Sequence, residues 1–147
     1  MGSRFRIAIN TGGGDAPGLN AVIYAVTMAA HGRGWEVHGI QQGYAGLFDA
    51  SRIVPLTPER VSGILAHGGT IEFRGGSPTT WDRLLALRFG AAAVRFIAEG
   101  QRDVMVAWQP PDMKAVPIVD VIGKTKQVPV ESDTIQTCRD LGISLGD

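Results

Sequence analysis

A glycine-rich turn set between two apolar segments constrains this chain more than any other feature. Residues 5–10 (FRIAIN) form a short apolar run that reads as a buried strand. Thr11-Gly12-Gly13-Gly14-Asp15-Ala16-Pro17-Gly18 follows as a loop. From Leu19 to Ala30 the residues are apolar almost all round, which predicts a buried helix ending near His31-Gly32. Trp35–Ile40 alternates and reads as a second strand. Strand, glycine loop, helix, strand implies a parallel pair with a right-handed crossover. Glycine lets the backbone turn tightly and approach a ligand closely, and the helix behind it offers free amides and a positive dipole end. A phosphate-bearing ligand fits that geometry; a tight strand-to-helix turn without a ligand is the alternative. Gly18 falls one residue late for the dinucleotide fingerprint, and Gln41-Gln42 stands where a ribose-binding acid belongs. No Gly-Lys-Ser/Thr follows, so this is not a Walker loop.

Further along, Gln41–Leu47 is a glycine-spaced loop, and Thr57-Pro58-Glu59 has the cap, first-turn proline and acid of a short helix ending near Gly68. A second polar loop runs from Arg74 to Thr80. Thr79 and Asp82 are spaced as a capping box that opens a long helix to Gly100. Val104–Trp108 reads as a buried strand, Pro110-Pro111-Asp112 as a turn, Ala115-Val116 as a short strand, and Asp133 to Leu141 as a helix stopped by Gly142. These elements predict an α/β, three-layer, Rossmann-like domain with a mainly parallel sheet. Between Gly69 and Arg74 only Thr70-Ile71-Glu72-Phe73 separates two glycine-rich loops, where a doubly wound sheet normally places a helix and further strands.

The 147 residues are enough for one domain, and 14 basic residues balance 14 acidic ones, which argues against a nucleic-acid binder. No stretch has the length of a membrane span, and the first residues do not form a secretory signal. A lone Cys138 permits no internal disulfide, which suits the cytoplasm. His31, His38 and His67 share no metal-ligand spacing, so no metal site and no catalytic residue is assigned from the residues alone.

Ile9-Asn10-Thr11-Gly12-Gly13-Gly14-Asp15-Ala16-Pro17-Gly18-Leu19-Asn20-Ala21 resembles the opening of the phosphofructokinases, in the three-glycine form typical of the branch with many pyrophosphate-dependent enzymes. The resemblance continues through Gly39–Leu47 and Gly63–Ile71, then jumps. Arg74–Thr79 and Asp82–Gly90 are similar to the family's late sugar-phosphate segment and the helix after it. Met105-Val106-Ala107 and Asp140–Asp147 are similar to its C-terminal strand and tail. The resemblance therefore implies a composite single domain over 1–147, with 1–71 similar to the family's N-terminal segment and 72–147 to its C-terminal segment.

The resemblance also implies a chemistry: phosphoryl transfer from pyrophosphate or ATP to the 1-hydroxyl of fructose 6-phosphate, with Mg. It assigns donor-phosphate binding to Gly12, Gly13, Gly14 and Tyr44, and fructose 6-phosphate binding to Arg74. Tyr24 and Met28 stand where allosteric bacterial relatives carry effector-binding arginines, which argues against that mode of control. The family segments that bind magnesium, carry the catalytic base and grip the sugar have no counterpart in this sequence. The expectation is a family member inactive as this chain, with a non-catalytic phosphate-binding or interaction fragment as the alternative. The partners implied are small molecules, with neither nucleic acid nor membrane, and a homo-oligomer stays open.

Overall fold

The computed structural model describes residues 5–12, 16–66, 78–125 and 127–146. The described chain falls into two compact units, Met1–Val116 and Pro117–Asp147.

In the first unit, strand β1 (Arg6–Asn10) leads through the glycine loop into helix α1 (Leu19–His31) and then strand β2 (Glu36–Ile40). β1 and β2 pair in parallel, with Ile7 opposite Val37 and Asn10 opposite Ile40. The expected parallel strand pair joined through a helix is therefore present. Strand β3 (Ile53–Leu56) then pairs antiparallel with β2, placing Pro55 opposite His38.

The α/β class holds, but the sheet over the described residues is mixed rather than mainly parallel. The reason lies in the connection: residues 43–52 form only short 3₁₀ turns, with no helix to carry the chain back to the starting end of the sheet. Among the described residues β3 pairs only with β2, and at such an edge a proline costs no ladder hydrogen bond. Strand β4 (Val104–Gln109) forms a separate two-stranded sheet with strand β5 (Asp112–Pro117). Their two-residue connection allows only an antiparallel hairpin.

Helix α2 (Thr80–Ala98) opens with the expected capping box: Thr79 accepts from the Asp82 amide while the Asp82 carboxylate accepts from the Thr79 amide. Its core-facing residues meet those of α1. Val26 and Ala30 of α1, Val37 of β2 and Val94 of α2 form one buried cluster, flanked by Ile7, Ile9, Val22, Trp35 and Leu56. The two helices approach closely because residue 90 is glycine. A β-carbon there would lie 2.7 Å from both the Ala25 β-carbon and the Val22 carbonyl oxygen.

Where the sequence predicts a helix from Thr57, the chain makes one turn, with the Val61 amide donating to the Thr57 carbonyl. It then reaches Gly63 at φ 87° and a 3₁₀ turn, Ile64–Ala66. A left-handed glycine ends an α-helix, so the capped start never propagates. On the face of the sheet opposite the core, Ala8, Ile53 and Pro55 are exposed. The expected short strand at Thr70–Phe73 lies outside the described residues.

The second unit holds a 3₁₀ turn, Ile118–Asp120, and helix α3 (Asp133–Asp140). Ser132, not Asp133, is its N-cap residue, and Gly142 beyond it has φ 68°.

Candidate functional site

At the carboxyl ends of β1 and β2 the two glycine-spaced loops meet. β1 runs out through Thr11 to Gly12, while β2 runs into Gln42 and Gly43, both left-handed at φ 58°. A left-handed glycine is unremarked by sterics, but glutamine in that region is uncommon and marks a constrained turn. The turn brings the ring of Tyr44 onto Gly12: a β-carbon at residue 12 would stand 2.9 Å from Cε2. Any other residue at position 12 would push the ring away. Gly46 closes the same turn against the sheet, where a β-carbon would fall 2.0 Å from the Gln41 carbonyl oxygen.

Behind the loop, α1 starts at Gly18, held at φ 91°, with no side-chain cap and no acidic residue in its first turn. Among the described residues, no side-chain counter-charge stands at its positive dipole end. Such a helix start favours an anion; α2, whose first turn carries its own carboxylate at Asp82, does not offer the same vacancy. Gly18 also seats α2, since a β-carbon there would lie 3.1 Å from the Ala86 β-carbon and 3.2 Å from the Asp82 carbonyl oxygen.

Of the residues that the resemblance assigns, Gly12 and Tyr44 are brought together here. Gly13, Gly14 and Arg74 lie outside the described residues, as do Asp15, His67 and Glu72. Sequence reasoning passed over Asn10. Its Oδ1 is buried and finds no hydrogen-bond partner among the described residues, and it lies 4.0 Å from where a Gly43 β-carbon would be. The only sequence signal for it is a carboxamide ending an otherwise apolar strand.

The titrating carboxylates are engaged elsewhere. Asp49 is held below its ordinary pKa by the Ser51 hydroxyl and amide, with Arg52 adding to the effect. Glu59 is lowered by its own amide and the Thr57 hydroxyl, and Asp82 by the Thr79 hydroxyl and amide. His31 and His38 line a groove of about 580 Å³ with Trp35, Glu36 and Thr57. Residues 35–38 lie toward the start of β2, away from its junction with Gly12. Among the described residues no three His, Cys, Asp or Glu side chains are grouped to hold a metal ion. No described helix is long and apolar enough to cross a membrane.

Residues 6–71 match the family model described as Phosphofructokinase. The ATP-dependent 6-phosphofructokinase of Chloroflexus aurantiacus is 54% identical over 66 residues, which are 45% of this chain and 18% of that protein. The ATP-dependent 6-phosphofructokinase of Aquifex aeolicus is 51% identical over 73 residues, 50% of this chain and 22% of that protein. The chain thus spans about a fifth of the length of the curated relatives it matches. Among solved structures, Pichia pastoris phosphofructokinase in the T-state is 34% identical, with a TM-score of 0.47, over 68% of this chain and 10% of that one. The stretch from Arg6 to Ile71, which carries β1, the glycine loop, α1, β2 and β3, is the part of the chain that matches the phosphofructokinase family.

Proposed function

We propose that this chain supplies the phosphate-donor side of a phosphofructokinase-type site. The Gly12–Gly14 loop and Tyr44 would receive pyrophosphate or the phosphates of ATP, and Arg74 would face fructose 6-phosphate. The observation that carries this reading is the seating of Tyr44 on Gly12, the residue that leads from β1 toward a helix whose first turn has no acid and whose N-cap makes no side-chain bond. Backbone amides and a helix dipole suit a phosphate without any charged side chain, and an arginine fork suits a sugar phosphate.

The family reaction moves a phosphoryl group to a sugar hydroxyl in glycolysis, and it needs positioned phosphates, magnesium and an aspartate near the acceptor. In this reading the sequence keeps the loop for the first requirement and lacks the family segments that meet the others, so the chain would bind without turning over. The composite reading, family N-terminal segment joined near Ile71-Glu72 to family C-terminal segment, explains why α2 fits so closely onto α1. A role beside glycolytic enzymes would place the chain in the cytoplasm.

A second reading, an interaction fragment, draws on the open face of the sheet at Ala8, Ile53 and Pro55. Calorimetric titration with pyrophosphate, ATP and fructose 6-phosphate separates the two. Saturable binding of a phosphate donor, weakened by Gly13→Val, supports the donor-site reading. No binding of any of the three, with self-association on a sizing column, supports the fragment.

A further inference from the structure

Helix α2 carries two stripes at helical spacing. Ala86, Gly90 and Val94 form a buried one, turned toward α1. Leu84, Leu87, Arg88, Ala91 and Arg95 form the other, and it lines a groove of about 600 Å³. The opposite wall is β5, at Asp112, Met113 and Lys114. Arg88 also donates to the Pro111 carbonyl, which ties the hairpin turn to the helix and sets the two walls of the groove. Leu84 is 50% exposed, and Arg95 and Lys114 are exposed as well, so the groove opens to solvent. Its lining has three cations, Arg88, Arg95 and Lys114, against one acid, Asp112. The chain as a whole balances 14 basic against 14 acidic residues, so this excess is local.

An apolar floor with a basic rim calls for an occupant whose apolar and acidic parts match both. Arg88 and Arg95 stand seven residues apart on one helix, about 10 Å along its axis. Pyrophosphate is too short to reach both, and the aliphatic side chains between them offer it nothing. A small ligand also needs most of its surface buried, which a groove with a half-exposed Leu84 does not provide. An amphipathic helix laid in a groove has the required pattern: leucine-type side chains three and four residues apart, with carboxylates seven residues apart beside them. We propose that the groove between α2 and β5 docks an acidic amphipathic helix of a partner protein. Its apolar side chains rest on Leu84, Leu87 and Met113, and its carboxylates meet Arg88, Arg95 and Lys114. All of these residues lie outside the Arg6–Ile71 match, so this docking does not depend on the donor-site reading.

The probe is a fluorescein-labelled helical peptide of about 15 residues, long enough to hold a helix, with leucines on one face and glutamates seven residues apart along its edge. Fluorescence anisotropy follows its binding to the full chain. Saturable binding is expected, and the same peptide with lysine for every glutamate should not bind. Arg95→Glu and Lys114→Glu, both at exposed positions, should each weaken binding about fivefold while leaving the melting midpoint within about 2 °C of wild type. Leu84→Ser should weaken it by a similar factor through the lost apolar contact. Should a variant fail to fold, the wild-type salt dependence still decides: raising NaCl from about 0.05 M to about 0.5 M should weaken binding severalfold. Equal binding of the lysine peptide, or affinity indifferent to salt, overturns the proposal. So does ATP binding that Arg95→Glu weakens, with no peptide binding, because the groove would then take a small anion. A dimer in sedimentation that Arg95→Glu dissolves overturns it too, since a second copy would then fill the groove.

Discussion

A β-carbon on Gly12 would stand 2.9 Å from Cε2 of Tyr44, so a side chain at residue 12 and the ring that follows β2 would compete for the same space. The obstructing atom belongs to the rim of a side chain that is 72% exposed. Gly12→Ala therefore displaces the ring more than it strains the backbone. Its expected cost in stability is small, within about 1 kcal/mol. Donor affinity falls because the ring no longer lies over the loop. In a Tyr44→Ala background the same substitution should add little further loss, so the two sites couple. A double-mutant cycle on pyrophosphate or ATP affinity measures this; additive losses would show that ring and loop act separately.

Gly46 and Gly63 give a contrast within the same segment. At Gly46 a β-carbon meets the Gln41 carbonyl oxygen at 2.0 Å, and backbone cannot swing aside as a tyrosine ring can. Gly46→Ala must therefore open the turn and is expected to cost about 3 kcal/mol or more. At Gly63 no atom lies within 4 Å of a β-carbon, and only the φ of 87° resists alanine. Gly63→Ala is expected to cost about 1–2 kcal/mol. Urea denaturation of the two variants ranks them; a reversed order would contradict the turn geometry.

Much of the fold was legible because its signals are local. Apolar runs ending at glycine gave β1, α1 and β2, and the Thr79–Asp82 spacing gave the start of α2. β3 was not legible: Ile53-Val54-Pro55-Leu56 is short and contains a proline, so only its place at the sheet edge makes it a strand. The Thr57 start looked like a helix because its caps are correct, and Gly63 cancels them three-dimensionally through its φ. At the site, the glycine loop and Tyr44 each carried a signal, but their contact requires β1 and β2 to end side by side. Asn10 carried almost none, since the burial of its oxygen is a property of surroundings and not of sequence.

The seating of α2 on α1 depends on Gly90. A methyl there meets the Ala25 β-carbon and the Val22 carbonyl, both 2.7 Å away, with neither able to retreat without moving α1. Gly90→Ala removes a helix-weakening glycine, a gain of about 1 kcal/mol in an isolated helix. Overpacking of this kind typically costs about 1–3 kcal/mol, so the net effect is expected to be destabilising. Adding Ala25→Gly should recover part of the loss in thermal melts. A Gly90→Ala chain more stable than wild type would mean that the two helices do not touch there.

The capping box makes α2 sensitive to acid. Asp82 is held below its ordinary value of 3.8 chiefly by the Thr79 hydroxyl, then by the Thr79 amide. A carboxylate whose pKa is lower in the folded than in the unfolded chain stabilises the fold above the unfolded value. That contribution is lost as pH falls through the folded value. Thr79→Ala is expected to cost about 1 kcal/mol at pH 7. Asp82→Asn should lower the melting midpoint at pH 7, and its gap from wild type should close as the pH falls below that ordinary value. A gap that is constant from pH 7 to pH 2.5 would show that the charge of Asp82 plays no part in the cap.

The chain alone is expected to show no phosphorylation of fructose 6-phosphate above background with ATP or pyrophosphate and magnesium. The transfer requires donor and acceptor in line, with charge neutralised between them, and an aspartate within roughly 2.6–3.2 Å of the acceptor hydroxyl. The carboxylates with shifted pKa are bound to other tasks. Asp49 accepts from Ser51 at 2.6 Å and from Arg52 at 3.0 Å, closing its own turn. Asp82 is tied at 2.8 Å to both the hydroxyl and the amide of Thr79. Glu59 answers to Thr57 and its own amide. Each is held in its ionised form by donors that a substrate hydroxyl would have to displace, and none is among the residues at the Gly12–Tyr44 contact. Asp133 begins α3 in the other unit. A coupled assay under donor concentrations that saturate binding tests the expectation. Turnover abolished by replacing one carboxylate of this chain would refute it and identify the base; turnover unaffected by every such replacement would point to a contaminating enzyme.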